Sequence, residues 1–261
     1  MKFSVLSSSS SGNCIYLEIE NHCFLLDCGL SLRQIKSKLS ILGISLSSLD
    51  GIFITHEHHD HISGLASVNS AYKTRIYMSK DTYRNLPEEL KMKVSPLQFS
   101  FVKANEEFDI SGISVLPFRL SHDAIDPLGY RIKDENGKEL VYITDTGCFI
   151  VPNSLKNADA YVLESNHEPD VLLMSARPWQ LKNRIMSEYG HLSNNDSAKI
   201  FDELKGEKTK LLVLYHLSDE CNSKDLALLA YDNYFSNKGE SLNNINIVVS
   251  DKTVPTKILE V

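Results

Sequence analysis

Apolar residues gather along the chain into short runs rich in β-branched and aromatic side chains, with polar residues between them. Nine such runs, "KFSVL", "CIYLEI", "CFLLD", "GIFIT", "ISVLPF", "ELVYIT", "AYVLE", "LLVLY" and "INIVV", predict strands. Helical spacing replaces this pattern in a few places. Leu32, Ile35, Leu39 and Leu42 recur at helical intervals in "SLRQIKSKLSILG" and stop at Gly43. "HISGLASVNSAYK" reads as a second helix, "SNNDSAKIFDELKG" opens on capping residues and ends at Gly206, and "SKDLALLAYDNYF" closes the series. Consecutive strands followed by alternating strands and helices predict an α/β fold of sheets covered by helices, not a bundle. No repeat or linker interrupts the pattern, so one domain over residues 1–261 is expected.

The polar residues that follow these runs are chemically selective. Asp27 follows "FLL", His56 follows "IFIT", His122 follows "VLPFRLS", Asp145 follows "VYIT", His167 follows "YVLESN" and His216 follows "LLVLY". Strand ends on one side of a sheet share a floor, so these distant residues can converge in one cleft.

The densest motif is "THEHHDH" at residues 55–61, which holds four of the chain's nine histidines. His56 and His58 are separated by one residue and can chelate one cation, while Asp60 and His61 begin the next turn and can face a second. His122 can complete the first set, His216 the second, and Asp145 can offer one oxygen to each. Asp27 is placed to orient a ligand histidine from behind. Imidazole and carboxylate without thiolate suit Zn2+, Mn2+ or iron rather than calcium. A solvated histidine-rich loop is the plainer alternative.

Charge and cysteine usage narrow the setting. Twenty-seven basic against 34 acidic residues give a net charge of −7, so a nucleic-acid partner would need a local basic patch. Five cysteines without a Cys-x-x-Cys pair predict reduced thiols inside a cell. The first residues lack a signal-peptide core, and no run approaches the roughly 18 apolar residues of a membrane span. A cytoplasmic protein with no membrane contact is expected, its oligomeric state open.

The succession "FLLDCG", "THEHHDH", "SHD", "TDTG" and "YHLS" resembles the motifs of the metallo-β-lactamase-fold hydrolases over nearly the whole chain. That resemblance implies an αββα sandwich with a dinuclear site at one edge. More narrowly, "FSVLSSSSSGN", "ESNHE", "GHLSNND" and "HLSDECN" resemble the YycJ/WalJ (VicX) branch, bacterial proteins regarded as 5′-to-3′ DNA exonucleases. Residue by residue it implies His56, His58 and His122 at one divalent transition metal ion, Asp60, His61 and His216 at a second, and Asp145 between them. The family usually keeps a small residue where this chain has His59, which is expected only to meet solvent.

Two such ions about 3.5–4 Å apart lower the pKa of a bridging water, so that hydroxide can attack phosphorus at neutral pH. His191 in "YGHLSNN" matches a position where related phosphodiesterases keep a histidine near the scissile bond. It is expected to protonate the leaving group, against the plainer reading of a helix-entry histidine. His167 is read as a transition-state hydrogen-bond donor or a core histidine, and Asp60, His191 and His167 complete the catalytic expectation.

For substrate, Ser10, Ser11 and Asn13 in the serine loop, with Gly12 allowing close approach, can offer N–H and hydroxyl groups to a phosphate; a polar turn is the alternative. Arg177, Lys182 and Arg184 surround the single tryptophan, Trp179, in "SARPWQLKNR" and can pair phosphates with a stacking surface for single-stranded bases. A charged face over a buried Trp179 is the competing reading. Only 70 residues separate Asp145 from His216, too few for the large cap domain of related RNA-processing nucleases. The expected activity is hydrolysis of single-stranded or end-exposed DNA. The alternative is a small-molecule phosphodiesterase, thioesterase or lactonase on the same metal site.

Overall fold

The computed structural model describes residues 1–261. Two seven-stranded sheets lie face to face. The first runs β14 (Leu259–Glu260), β1 (Lys2–Ser7), β2 (Cys14–Ile19), β3 (His22–Leu26), β4 (Gly51–Phe53), β5 (Arg75–Ser79), β6 (Phe99–Val102) from edge to edge. The second runs β13 (Asn246–Val249), β12 (Leu211–Tyr215), β11 (Ala160–Glu164), β10 (Glu139–Ile143), β9 (Leu128–Lys133), β8 (Ile113–Arg119), β7 (Phe108–Ile110). β3 to β6 are parallel in the first sheet, as are β10 to β13 in the second. β8 lies antiparallel to β9 and β9 to β10, so β8 points the same way as β10.

Each sheet is buried on both faces, which is why its strands read as continuous apolar runs instead of alternating ones. Phe3, Leu17, Phe24 and Leu26 turn inward to meet Val115, Tyr142, Val162 and Val213 of the opposite sheet. Tyr16, Leu25 and Ile52 turn outward beneath helices, and Val141, Leu163 and Leu212 do the same on the other side. Three apolar layers result, helix on sheet on sheet on helix. No helix is long and apolar enough to cross a membrane.

All nine predicted runs form strands. α1 (Leu32–Ile41) follows its predicted helix, with a capping box between Ser31 and Gln34. The predicted helix in "HISGLASVNSAYK" is instead two, α2 (His59–Ile62) and α3 (Leu65–Tyr72). Gly64 between them is pinned against the β3 exit: its N–H donates to the Cys28 carbonyl, and a Cβ there would meet Leu30 O at 1.7 Å. The short α4 (Lys80–Asn85), α5 (Glu88–Lys93), α6 (Pro169–Met174) and α7 (Trp179–Ile185) carry too few turns to show a period, and β5, β6, β7, β9 and β14 lie outside the nine predicted runs. α8 (Asn194–Leu204) and α9 (Lys224–Asn237) fall where capping residues and spacing place them.

Phe24 is fully buried between the sheets, its ring centroid 5.5 Å from that of Phe53. Phe24→Ala is expected to lower unfolding stability by about 3–5 kcal/mol, whereas Ile41→Ala at an exposed position changes it by less than about 0.5 kcal/mol. Urea unfolding of the two variants checks this.

Candidate metal centre

Three residues of the site stand at strand exits with backbone in the left-handed region: Asp27 after β3 (φ 56°), Asp145 after β10 (φ 49°) and His216 after β12 (φ 58°). The conformation is uncommon outside glycine, although Asn, Asp and His tolerate it best. Each reversal turns a side chain that would continue the strand back over its end.

The loop after β4 supplies the rest of one wall. Its N–H at Thr55 donates to Asp27 Oδ1, and the His61 carbonyl accepts from the Cys28 N–H. Asp60 O accepts from the Asn13 N–H. Gly29 packs against this same turn so closely that a Cβ would lie 1.7 Å from Asp60 O. Glu57 accepts from the Ile125 N–H and ties the loop to the segment bearing His122.

The donor atoms fall into three groups that share the Asp145 carboxylate; Asp145, Glu164, His191 and His216 make one, and the other two are those that the sequence predicts. His56, His58, His122 and Asp145 form one, and Asp60, His61, Asp145 and His216 the other, with all ligand atoms of a group within 4.8 Å of one another. Asp145 Oδ2 lies 3.5 Å from His56 Nε2, 3.1 Å from His61 Nε2 and 3.8 Å from His122 Nε2, while Oδ1 lies 2.8 Å from His216 Nδ1. His56, His61, His122, Asp145 and His216 are all buried, and the Nε2 atoms of His56 and His216 have no hydrogen-bond partner. Unpartnered buried imidazole nitrogens beside clustered carboxylates fit divalent metal ions, with His56 and His216 offering lone pairs and Asp60 and Asp145 negative charge.

The electrostatics are those of buried carboxylates short of positive charge: burial pulls His216 down, but Asp145, Asp60 and Glu164 outweigh it and hold it well above its ordinary value. Burial, reinforced by His61, pulls His56 well below the usual histidine range and favours the neutral imidazole. Burial also pulls on His61, but Asp27, Asp60 and Asp145 outweigh it and hold this imidazole well above its ordinary value. Asp60 is kept ionised, since His61 and His216 overcome the upward push of burial. The site thus concentrates negative charge that calls for cationic partners.

Asp27 stands behind the centre and is fully buried. Its Oδ2 accepts from Tyr142 Oη and lies 2.8 Å from His61 Nδ1, while both oxygens accept from Thr55 Oγ1. That grip leaves His61 Nε2 directed at Asp60 and Asp145. His122 Nδ1 meets the Gly190 carbonyl at 3.0 Å, which directs its Nε2 inward. His59 is exposed on α2 and joins none of the groups.

Glu164, at the end of β11, is a site residue that the sequence reading missed. It is fully buried, with Oε1 2.7 Å from His191 Nδ1 and 3.1 Å from His216 Nδ1, and with Oε2 accepting from the Thr146 and Leu192 N–H groups. Burial pushes this carboxyl up, but His191 and His216 bring it below its ordinary value. A glutamate closing the otherwise apolar "AYVLE" was the signal available.

The expected substrate residues separate. Ser10, Arg177, Arg184 and His191 line a cleft of about 370 Å³ beside His216, together with Asn166. Arg177 pairs with Glu220 at 2.8 Å and Arg184 pairs with Asp123. Ser11 is exposed on the same loop. Two expectations change: Asn13 is fully buried and donates to Asp60 Oδ2 beneath the centre, and Lys182 is turned inward to cap the Leu173 and Ser175 carbonyls. Gly12 approaches the Gly29 carbonyl and not a ligand surface. His167 is buried off the cleft and pulled down to about 4 by its burial, whereas Trp179 is 61% exposed.

Comparisons with known proteins agree with this geometry. The model of the beta-lactamase superfamily domain matches residues 22–217. The chain is 37% identical to exodeoxyribonuclease WalJ of Streptococcus pneumoniae over 87% of its own length and 85% of that protein. It is 34% identical to exodeoxyribonuclease YycJ of Bacillus anthracis over 99% and 98%. Among solved structures, the metallo-beta-lactamase fold protein YhfI from Bacillus subtilis superposes with a TM-score of 0.69 at 16% identity, over 98% of this chain and 99% of that one. The short form of human tRNase Z superposes with a TM-score of 0.67 at 17% identity, over the full length of both. With its αββα sandwich and its clustered histidines and aspartates, the chain belongs to the metallo-β-lactamase-fold hydrolases, in the family of the WalJ and YycJ proteins.

Proposed function

We propose that this protein is a dinuclear, metal-dependent exonuclease that trims DNA from a 5′ end in the cytoplasm, its whole length acting as one domain. The observation that carries the dinuclear reading is the divided carboxylate of Asp145, with Oδ2 among His56, His61 and His122 and Oδ1 against His216. The kinship with WalJ and YycJ, both named exodeoxyribonucleases, supports DNA as substrate.

His56, His58 and His122 would hold one divalent transition metal ion, Asp60, His61 and His216 the other, and Asp145 both. When bound, such a pair acidifies a shared water and offsets the charge that builds on phosphate oxygens. The chain's own residues do the remainder. Asp27, Thr55 and Tyr142 fix the ring of His61, and Asn13 fixes the carboxylate of Asp60. Glu164 occupies Nδ1 of His191 and thereby turns its Nε2 toward the cleft, where it can hand a proton to the departing sugar oxygen. Arg177 and Arg184 can exchange their exposed carboxylate partners for substrate phosphates. His167, buried and neutral, serves better as support for the His191 loop than as a donor to substrate.

Single-stranded DNA labelled at its 5′ end, incubated with Mn2+ or Zn2+, is expected to release mononucleotides from that end; no release with any divalent metal contradicts the reading. His191→Ala and Glu164→Gln are expected to lower kcat on DNA by about 10²–10⁴-fold. The His191→Ala variant should cleave bis(p-nitrophenyl) phosphate, whose leaving group needs no proton, at a near-parent rate, which steady-state kinetics checks. Chelation should lower Tm by several degrees, since ions that bind only the folded chain stabilise it by mass action. Differential scanning calorimetry before and after metal return measures this.

A further inference from the structure

The metal centre lies on a rim formed where parallel strands of both sheets end, and that rim continues past it on the side away from Arg177. β5 and β6 follow β4 in the first sheet and end at Ser79 and Val102. Neighbouring strands are about 4.8 Å apart, so the end of β6 lies roughly 10 Å along the rim from that of β4. β8 of the facing sheet ends at Arg119, three residues before His122.

These three strand ends enclose a cavity of about 530 Å³ that presents Lys80, Arg84, Lys103 and Arg119. All four are exposed. Lys80 forms no ion pair, and the others hold only local surface partners: Arg84 with Asp81 at 2.7 Å, Lys103 with Glu106 at 3.1 Å, and Arg119 with Asp126 at 3.5 Å. Exposed pairs of this kind contribute about 0–1 kcal/mol each, so exchanging a carboxylate for a phosphate costs little. Asp81, Glu106 and Asp126 line the same cavity, so its four cations stand against three carboxylates and leave a small positive excess in a chain of net charge −7.

We infer that this second cavity is an outlying phosphate-binding groove that holds the part of a DNA strand trailing away from the metal centre. The inference rests on the DNA-hydrolysing reading above. Along the rim the cleft of Arg177 and Arg184 lies on one side of the metals and this cavity on the other. A strand laid across the centre would therefore meet cations on both sides. The distance along the rim corresponds to one or two nucleotides, so a dinucleotide or an aryl phosphate would fall short of it.

The test is the triple variant R84Q/K103Q/R119Q, compared with R84K/K103R/R119K. With a single-stranded 30-mer, the neutral variant is expected to lose about 10-fold or more in kcat/KM. Its log–log salt slope should also flatten by about two, at about 0.7 per lost phosphate contact. The charge-preserving variant should keep parent values, and both should cleave bis(p-nitrophenyl) phosphate normally. An unchanged 30-mer kcat/KM and salt slope in the neutral variant overturns the groove and leaves the nuclease reading intact. A parent chain that neither cleaves the 30-mer nor binds it by fluorescence anisotropy overturns both. Equal losses on the 30-mer and the aryl phosphate also overturn it, because they place the effect in the centre itself.

Discussion

The carboxylate of Asp145 is buried among four imidazoles, and the surrounding rim is built to hold it there. Its two oxygens face His56, His61 and His122 on one side and His216 on the other. Burying that much polar surface is costly unless every group finds a partner. Backbone bonds between the β3 exit, the β4 loop and the serine loop lock the wall behind it, and Asp27 and Glu164 each turn one oxygen to histidine and the other to the backbone that frames the site. The left-handed turns at Asp27, Asp145 and His216 are strain of about 1–3 kcal/mol each, sustained by this network.

Much of this was legible in the residues, for identifiable reasons. Strands buried on both faces give unbroken apolar runs, and the six polar residues that follow such runs mark a common edge. "THEHHDH" concentrates ligand types that a surface loop has little use for. Short elements escaped because six or seven residues of α4 to α7 carry no period, and the kink at Gly64 depends on a carbonyl from Leu30, distant in sequence.

Roles set by packing were harder to read than roles set by chemistry. Asn13 and Lys182 carry the same side chains whether they meet substrate or the protein's own carboxylates and carbonyls, and only the fold shows the latter. Glu164 looked like the polar end of a strand, yet it bridges His191 to His216. Trp179 showed the reverse: a single tryptophan among cations stands open to solvent instead of anchoring a core.

The centre and the rim cations divide the work. In the proposed reaction the buried imidazoles and carboxylates set the chemistry, while exposed Arg and Lys side chains on weak local pairs set what can lie across it. The most direct test of the central claim is electron paramagnetic resonance of the chain loaded with Mn2+. A carboxylate shared by two ions predicts an exchange-coupled pair at two equivalents of metal, converted to isolated-ion signals by Asp145→Ala. Isolated Mn2+ signals from the parent chain at every loading would contradict the shared-carboxylate centre.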